Sequence, residues 1–493
     1  MPDVIVVGAG NAALCAALAA RERGAEVLVL EKAEFGERGG NTFFSGGGFR
    51  FPYNGLEDLR SVIPDLSEEE LKRIEVGSYT EADMRADLIR VTEGKADSEM
   101  VDHLISEAYS TVRWMHEKHA QRWVLMYGRQ AYEVDGKLHF WGGMITEAVG
   151  GGEGLSEGLF KATEQAGIEV RYGAKASALL TDEQTGRVTG VRVQTSDAVE
   201  AISAGAVILA AGGFEANVEM RTRYLGAGWE FAKVRGTRHN TGEVIRQALE
   251  IGAQPYGHWS SGHAVAWDLN APSTGNRRVG DLYQKHSYPL GLIVNIHGER
   301  FVDEGADLRN YTYAKYGREI LHQPFGVAFQ IFDQQTVSML RDEYRIREIT
   351  KGESDTIDGL ADTLGIDETG LVSTIESYNA ACQSGVFNPA VLDGLSTKGI
   401  EPPKSNWALP LNEPPYFGVA VTCGLTFTFG GLRIKAKTSQ VVDTEDRPMP
   451  GLFAAGELIG GLFYHNYAGG TGLMAGAVFG RSAGYAAAEA VLS

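Results

Sequence analysis

The sequence predicts an α/β chain of Rossmann-like architecture into which an α+β segment is inserted, and three observations carry that reading. The first thirty residues follow buried-strand, glycine-turn and helix signals in turn; two later apolar runs end in glycines or an acid; and from about 254 to 415 the helix-strand alternation fades. Composition sets the frame. Of 493 residues 43% are hydrophobic and 22% charged, which allows a full core in a chain of about three domains by length. A formal charge of −19 repels nucleic-acid phosphates and anionic lipid, so no nucleic-acid partner is expected. Glycine is the outlier: 63 residues against 15 prolines, above the roughly 7% of average usage and without a Gly-x-y period. Such glycines belong where backbone turns sharply or approaches something closely.

Val4-Ile5-Val6-Val7 reads as a strand buried on both faces of a parallel sheet. Gly8-Ala9-Gly10-Asn11-Ala12-Ala13 follows, then a helix from Leu14 to Arg23 ended by Gly24, a second strand to Leu30, and Glu31 at its end. Strand, glycine turn, helix, strand and acid form a dinucleotide-binding unit: Gly8 permits the turn, Gly10 admits a pyrophosphate, and Glu31 receives ribose hydroxyls. Ser67-Glu68-Glu69-Glu70 opens a capping box, and Leu56 to His119 reads as mostly helical. A helix from Leu155 to Gly167 leads to strands near Glu169 and Ala176 and to a hairpin turned at Thr185-Gly186-Arg187. Ala206 to Leu209 is another buried strand, ending in Ala211-Gly212-Gly213, and Asn240-Thr241-Gly242 opens a further helix.

Three features favour FAD over NAD. The loop Arg38-Gly39-Gly40-Asn41-Thr42 to Gly46-Gly47 has few side chains and can lie along an extended cofactor with its amides exposed. The strand at Ala206 repeats the glycine ending. Near the C-terminus, Gly451 to Ala455 reads as a strand followed by Gly456-Glu457, and Gly469-Gly470-Thr471-Gly472 opens a last helix to Val491 whose N-terminus would favour a reduced flavin's charge. The expected cofactor set is Gly8, Gly10, Asn11, Ala12, Glu31, Lys32, Arg38, Gly39, Gly40, Asn41, Thr42, Gly46, Gly47, Ala176, Ala211, Gly212, Gly213, Thr241, Gly456, Glu457, Gly472 and Leu473. Residues 1–254 and 417–493 are expected to form a discontinuous FAD-binding domain of the two-dinucleotide-binding-domain flavoprotein type, with 255–416 as the α+β cap, or substrate, domain. The uncharged stretch from Leu458 to Gly480 holds seven glycines and reads as buried loop and helix instead of a membrane span. With Val4 opening the first strand no leader is expected, and the chain reads as cytoplasmic, peripheral to a membrane at most through an electron-transfer partner.

These motifs, with Ala210-Ala211-Gly212-Gly213-Phe214, Gly430-Gly431 and Gly451-Leu452-Phe453-Ala454-Ala455-Gly456-Glu457, resemble the flavoprotein family of fumarate reductase and succinate dehydrogenase, which includes 3-ketosteroid dehydrogenases. Arg300 to Lys315 and Gly461 to Tyr467 look most like tricarballylate dehydrogenase. The resemblance implies α,β-dehydrogenation, a proton leaving one carbon while hydride passes from the next to flavin N5. It implies noncovalent FAD, because the Gly39 to Gly48 loop has no histidine to attach it.

Site residues implied by the resemblance remain open to more than one reading. Arg309 lies on the loop of the family's proton-transferring arginine, one residue further along, and is read as proton shuttle, carboxylate clamp or a structural pair with Asp307 or Glu304. Phe427 stands where fumarate reductases carry a carboxylate-binding histidine, and Tyr467 where they carry an arginine, which makes simple fumarate or succinate chemistry improbable. His465-x-Tyr467-x-Gly469 also fits a ketosteroid-type oxyanion site. His258 or His263, Tyr311, Tyr313 and Arg433 are the expected substrate ligands. Cys15, Cys382 and Cys423 make no haem or iron-sulfur motif, no metal cluster is spaced for binding, and the electrons are expected to leave to a separate iron-sulfur or quinone-linked protein or to oxygen. The predicted reaction is oxidation of a small polycarboxylate, tricarballylate-like to aconitate-like; the alternatives are a 3-ketosteroid Δ1-dehydrogenase and an electron-transfer component with little turnover of its own.

Overall fold

The computed structural model describes residues 1–493. Its first sheet has six strands in the order 440–442, 448–454, 206–209, 4–7, 27–30, 169–171. Val4–Val7 pairs in parallel with Ala206–Leu209 on one side and Val27–Leu30 on the other, and all three runs are wholly buried. Continuous apolar four-residue strands suit this position, because the helices Asn11–Glu22 and Thr471–Leu492 and the strand Val188–Gln194 of a separate sheet all pack on it and leave no side to face water. The sheet joins the two ends of the chain: the strand Pro448–Ala454 pairs in parallel with Ala206–Leu209.

The helices Asn11–Glu22 and Thr471–Leu492 pack directly on one another. Small residues make this possible: a side-chain carbon at Gly480 would lie 2.3 Å from Ala12 O, and one at Gly484 2.2 Å from Ala16 O. Part of the glycine excess therefore serves helix packing and not a ligand. No helix is long and apolar enough to cross a membrane. In the uncharged stretch, a turn-rich segment leads into the helix Thr471–Leu492.

The predicted helical region resolves into Leu56–Arg60, Glu68–Arg73, Glu81–Val91 and Ser98–His119. Ser67 caps the second of these: its Oγ accepts from Glu70 N at 3.2 Å while its own N donates to the Glu70 carboxylate at 2.9 Å. Lys175–Thr181 and Val188–Gln194 form the expected antiparallel hairpin, extended by Val199–Ser203.

A second sheet is built around the long strand Tyr416–Leu432, which pairs antiparallel with Pro255–Asp268, Ala328–Phe332 and Lys351–Ser354; Leu292–Asn295 adds to Ala328–Phe332. The expected boundary at 416/417 falls at the start of this strand, so residues 417–432 share a sheet with the inserted segment before the chain returns to the first sheet. Pairing decides this, and a boundary drawn from prolines and composition does not register it.

Candidate active site

The parallel strands end at Val7, Leu30, Leu209 and Ala454, and residues just beyond each line one continuous cleft: Gly8, Glu31, Ala210 and Gly456. Gly8 has φ +105°, and a side-chain carbon there would lie 2.4 Å from Ala210 O. Gly10 offers no side-chain cap to the helix Asn11–Glu22; Asn11 N donates to Thr42 Oγ1 at 2.8 Å, and the amides of Ala12 and Ala13 that follow are left for an anion. Glu31 is only 7% exposed; its Oε1 accepts from Ala33 N at 2.7 Å, and burial pushes its carboxyl up. Beside it Lys32 Nζ donates to Thr241 Oγ1 at 2.8 Å and pairs with Glu243 at 3.0 Å.

Further along, Glu457 Oε1 accepts from Thr428 N at 2.9 Å, and the buried Glu215 accepts from Asn41 and Asn240 amides at 2.7 and 2.6 Å. Neither carboxyl has a salt-bridge partner; burial first and the Glu215 charge second hold the Glu457 carboxyl well above the usual range. Uncapped amides for a pyrophosphate, a buried acid for a ribose and a second acid beyond the last strand fit FAD as one extended donor and acceptor set. Residues of that set on the cleft are Gly8, Gly10, Asn11, Ala12, Glu31, Lys32, Gly40, Asn41, Thr42, Gly46, Ala176, Ala211, Gly212, Thr241, Gly456, Glu457, Gly472 and Leu473.

The far part of the same cleft is lined by His263, Gln284, His286, Arg309, Tyr313, Phe427, Phe463 and Tyr467. Arg309 lies in the turn Arg309–Tyr311 and is 8% exposed. Its guanidinium donates to Arg129 O at 3.0 Å and contacts His286 Nδ1 at 3.3 Å, its Nε has no partner, and no carboxylate pairs with it. Burial and the neighbouring Arg341 bring it down to about 10. Arg235 and Arg129 share Asp281, at 2.6 and 3.0 Å. His263 is buried among Tyr313, Phe427 and Tyr467 with neither ring nitrogen bonded, and burial holds it far below the usual histidine range, neutral. Gly472 N, in the first turn of the last helix, donates to Tyr467 Oη at 2.9 Å, which leaves the hydroxyl proton available.

The turn that carries Arg309 is fastened on several sides. Asn310 Nδ2 donates to Gly142 O at 2.8 Å, Gly469 N to Asn310 O at 2.9 Å, and Asn466 Nδ2 to Tyr311 O at 2.6 Å. Tyr311 Oη donates to Asp87 at 2.5 Å and receives the buried Arg50 at 3.2 Å, while Arg50 also holds Gly469 O at 2.8 Å.

The FAD binding domain family matches residues 3–473. The chain belongs to that family. This flavoprotein is 30% identical to the urocanate reductase of Eggerthella lenta over 99% of its own length and 74% of that protein's. It is 29% identical to the probable fumarate reductase Ifc3 of Shewanella frigidimarina, over 99% and 75% of the two chains. Its fold superposes on the open conformation of a flavocytochrome c3 fumarate reductase with a TM-score of 0.72 at 26% identity, covering 100% of this chain and 79% of that one. The flavoprotein is an FAD-dependent oxidoreductase of the fumarate reductase family, acting on C=C or CH-CH bonds.

Several expected site residues of the flavoprotein lie off the cleft, each for a local reason. Arg38 sits over the Phe35 and Phe160 rings and pairs with Glu157 at 2.7 Å. The missing side chains of Gly39 and Gly47 make room for Ser156 and Gly151 of the helix Gly151–Gln165, and that of Gly213 for the Glu457 carboxyl. Arg433 pairs with Asp446 at 2.5 Å and with Gln254. Tyr311 is consumed by Arg50 and Asp87. His258 Nδ1 accepts from His465 N at 3.0 Å with its ring stacked on Tyr464, and His465, at φ +59°, points toward Glu93.

Other residues come to the cleft without having been expected: Arg129, Arg235, Gln284 and His286. For Gln284 and His286 the one sequence signal is a dense run of polar and aromatic types between 281 and 288, whose inward-facing members only pairing reveals; Arg129 and Arg235 lie outside that run.

Proposed function

We propose that this flavoprotein interconverts a small polycarboxylate and its α,β-unsaturated counterpart, a tricarballylate-like acid and an aconitate-like alkene. The observation that carries the reading is Arg309: a buried guanidinium on the cleft with no carboxylate partner. A buried charge left uncompensated costs several kcal/mol, roughly 3–5 for a broken pair, so a site that keeps one is suited to an anionic ligand. Arg129 and Arg235 add two more guanidiniums whose shared ion-pair partner is Asp281, with Glu343 and Glu147 acting on Arg129 from further off, and a neutral steroid ketone would bring no charge to meet them.

Bound FAD supplies the two-electron chemistry, exchanging hydride with a substrate carbon. The protein's own residues position the acid and move the proton. Arg309 exchanges the proton at the neighbouring carbon; with its affinity lowered to about 10, the neutral guanidine is closer to hand than for an exposed arginine. Tyr467 offers its hydroxyl proton to a substrate oxygen, and His263 offers a neutral imidazole. Phe427 and Phe463, whose rings lie 5.6 Å apart, form an apolar wall that excludes water from the reacting carbons. Electrons pass between the flavoprotein and a separate acceptor or donor.

The test is anaerobic mixing of the oxidised holoenzyme with tricarballylate and, in parallel, with a 3-ketosteroid. Bleaching of the flavin's visible absorbance by the acid alone is expected; bleaching by the steroid alone, or by neither, removes the polycarboxylate reading.

A further inference from the structure

We infer that His286 is a second anion-binding donor of the substrate pocket, its Nε2 proton directed at a substrate carboxylate because Arg309 occupies the opposite ring nitrogen. The inference rests on the polycarboxylate reading and names a residue that makes it selective. Arg309 has only donors, so its contact at 3.3 Å requires His286 Nδ1 to act as acceptor. A neutral imidazole accepting at Nδ1 must carry its proton on Nε2. That nitrogen is buried, belongs to a residue on the cleft wall, and has no partner in the protein. A buried N–H left without an acceptor is costly, and a ligand oxygen is what would satisfy it.

The residue is also held as a ligand-binding side chain needs to be. Lys285 N donates to Ala266 O at 3.0 Å and Ser287 N to Tyr344 Oη at 2.8 Å, which pins the backbone on both sides of His286. Its ring meets Tyr313 edge-on at 4.9 Å. Burial, and then the charges of Arg309, Arg235 and Arg129, keep it far below the usual histidine range, so it acts as a neutral donor and not as a third cation.

Two substitutions separate the ring's two duties. His286→Asn keeps an acceptor near the Nδ1 position for Arg309 and removes the distal donor; His286→Gln places an amide N–H near Nε2. Tricarballylate affinity is read from the concentration dependence of anaerobic flavin reduction in stopped flow, with retained FAD read from the oxidised spectrum before mixing. H286N is expected to weaken binding roughly 10- to 100-fold, the range for a hydrogen bond to a charged group, and H286Q to recover part of the loss. Wild-type affinity in H286N, or H286Q no better than H286N, overturns the assignment. Nitrogen NMR of labelled histidine in the unaltered holoenzyme gives an independent reading: an Nε2–H imidazole at His286 is required, and an Nδ1–H one refutes it. If the wild-type spectrum does not respond to tricarballylate at all, the polycarboxylate reading falls and this assignment with it; a wild-type response matched by H286N removes His286 alone.

Discussion

In the proposed reaction Arg309 carries the proton step, and the two directions of that reaction make opposite demands on its proton. Taking a proton from substrate requires the neutral form; giving one requires the charged form. With Arg309 brought down to about 10, the dehydrogenation rate is expected to climb with pH up to about 10, while the reverse reduction stays level through neutral pH and falls above about 10. Stopped-flow flavin reduction and reoxidation between pH 6 and 10.5 measures both limbs. Arg309→Ala is expected to lower kcat/KM by about 100-fold or more and to leave the visible flavin spectrum intact, because none of its bonds reach the residues beyond the parallel strands. A flat profile in both directions would make Arg309 a clamp with no proton role. At this scale Arg309, His263, Tyr313 and Tyr467 were legible as candidates, while His286 and Arg235 were not: nothing in a linear pattern says which histidine or arginine faces inward.

Among the elements, the short turn Arg309–Tyr311 depends on contacts from distant segments. Asp87, on the helix Glu81–Val91, accepts from Tyr311 at 2.5 Å and Tyr79 at 2.8 Å and faces the buried Arg50 at 3.4 Å. Tyr311→Phe deletes the bonds to Asp87, Arg50 and Gly142 O without removing ring packing. It is expected to slow flavin reduction by about tenfold, with FAD still bound, by loosening the placement of Arg309. Asp87→Ala goes further: it leaves the Arg50 guanidinium buried without its counter-charge and is expected to cost about 3–5 kcal/mol of stability, read by thermal or denaturant unfolding. An unchanged reduction rate in Y311F would mean that the Asn310 and Asn466 bonds suffice to hold the turn. From sequence alone Tyr311 is expected at the substrate, because aromatic hydroxyls beside an arginine suit either duty, and only its partners distinguish them.

On the scale of the whole molecule, the FAD cleft is assembled from residues near both termini and from segments between. A ligand that binds only this folded arrangement must stabilise it, by about 2.7 kcal/mol at a free concentration 100 times its Kd. The melting temperature is therefore expected to fall when FAD is removed and to rise with the logarithm of added FAD. A melting temperature indifferent to FAD would separate the cleft from the cofactor. The glycine excess divides at this scale: Gly8, Gly10 and Gly456 line the cleft, whereas Gly480 and Gly484 let two helices touch and Gly39 and Gly47 let chain segments cross.

The sequence by itself determined the dinucleotide-binding unit, the FAD cofactor and the family, because these rest on local order: an apolar run, a glycine turn, a helix and an acid adjacent along the chain need no distant partner to be recognised. Only the tertiary structure decided which polar side chains line the far part of the cleft and where the inserted segment's sheet ends. The long strand Tyr416–Leu432 takes its partners from up to 177 residues away along the chain, Pro255 with Leu432, and it is this pairing that sets Phe427 opposite His263. Side chains facing one cavity from separate elements owe their meeting to strand register and packing, quantities that no single stretch of sequence contains.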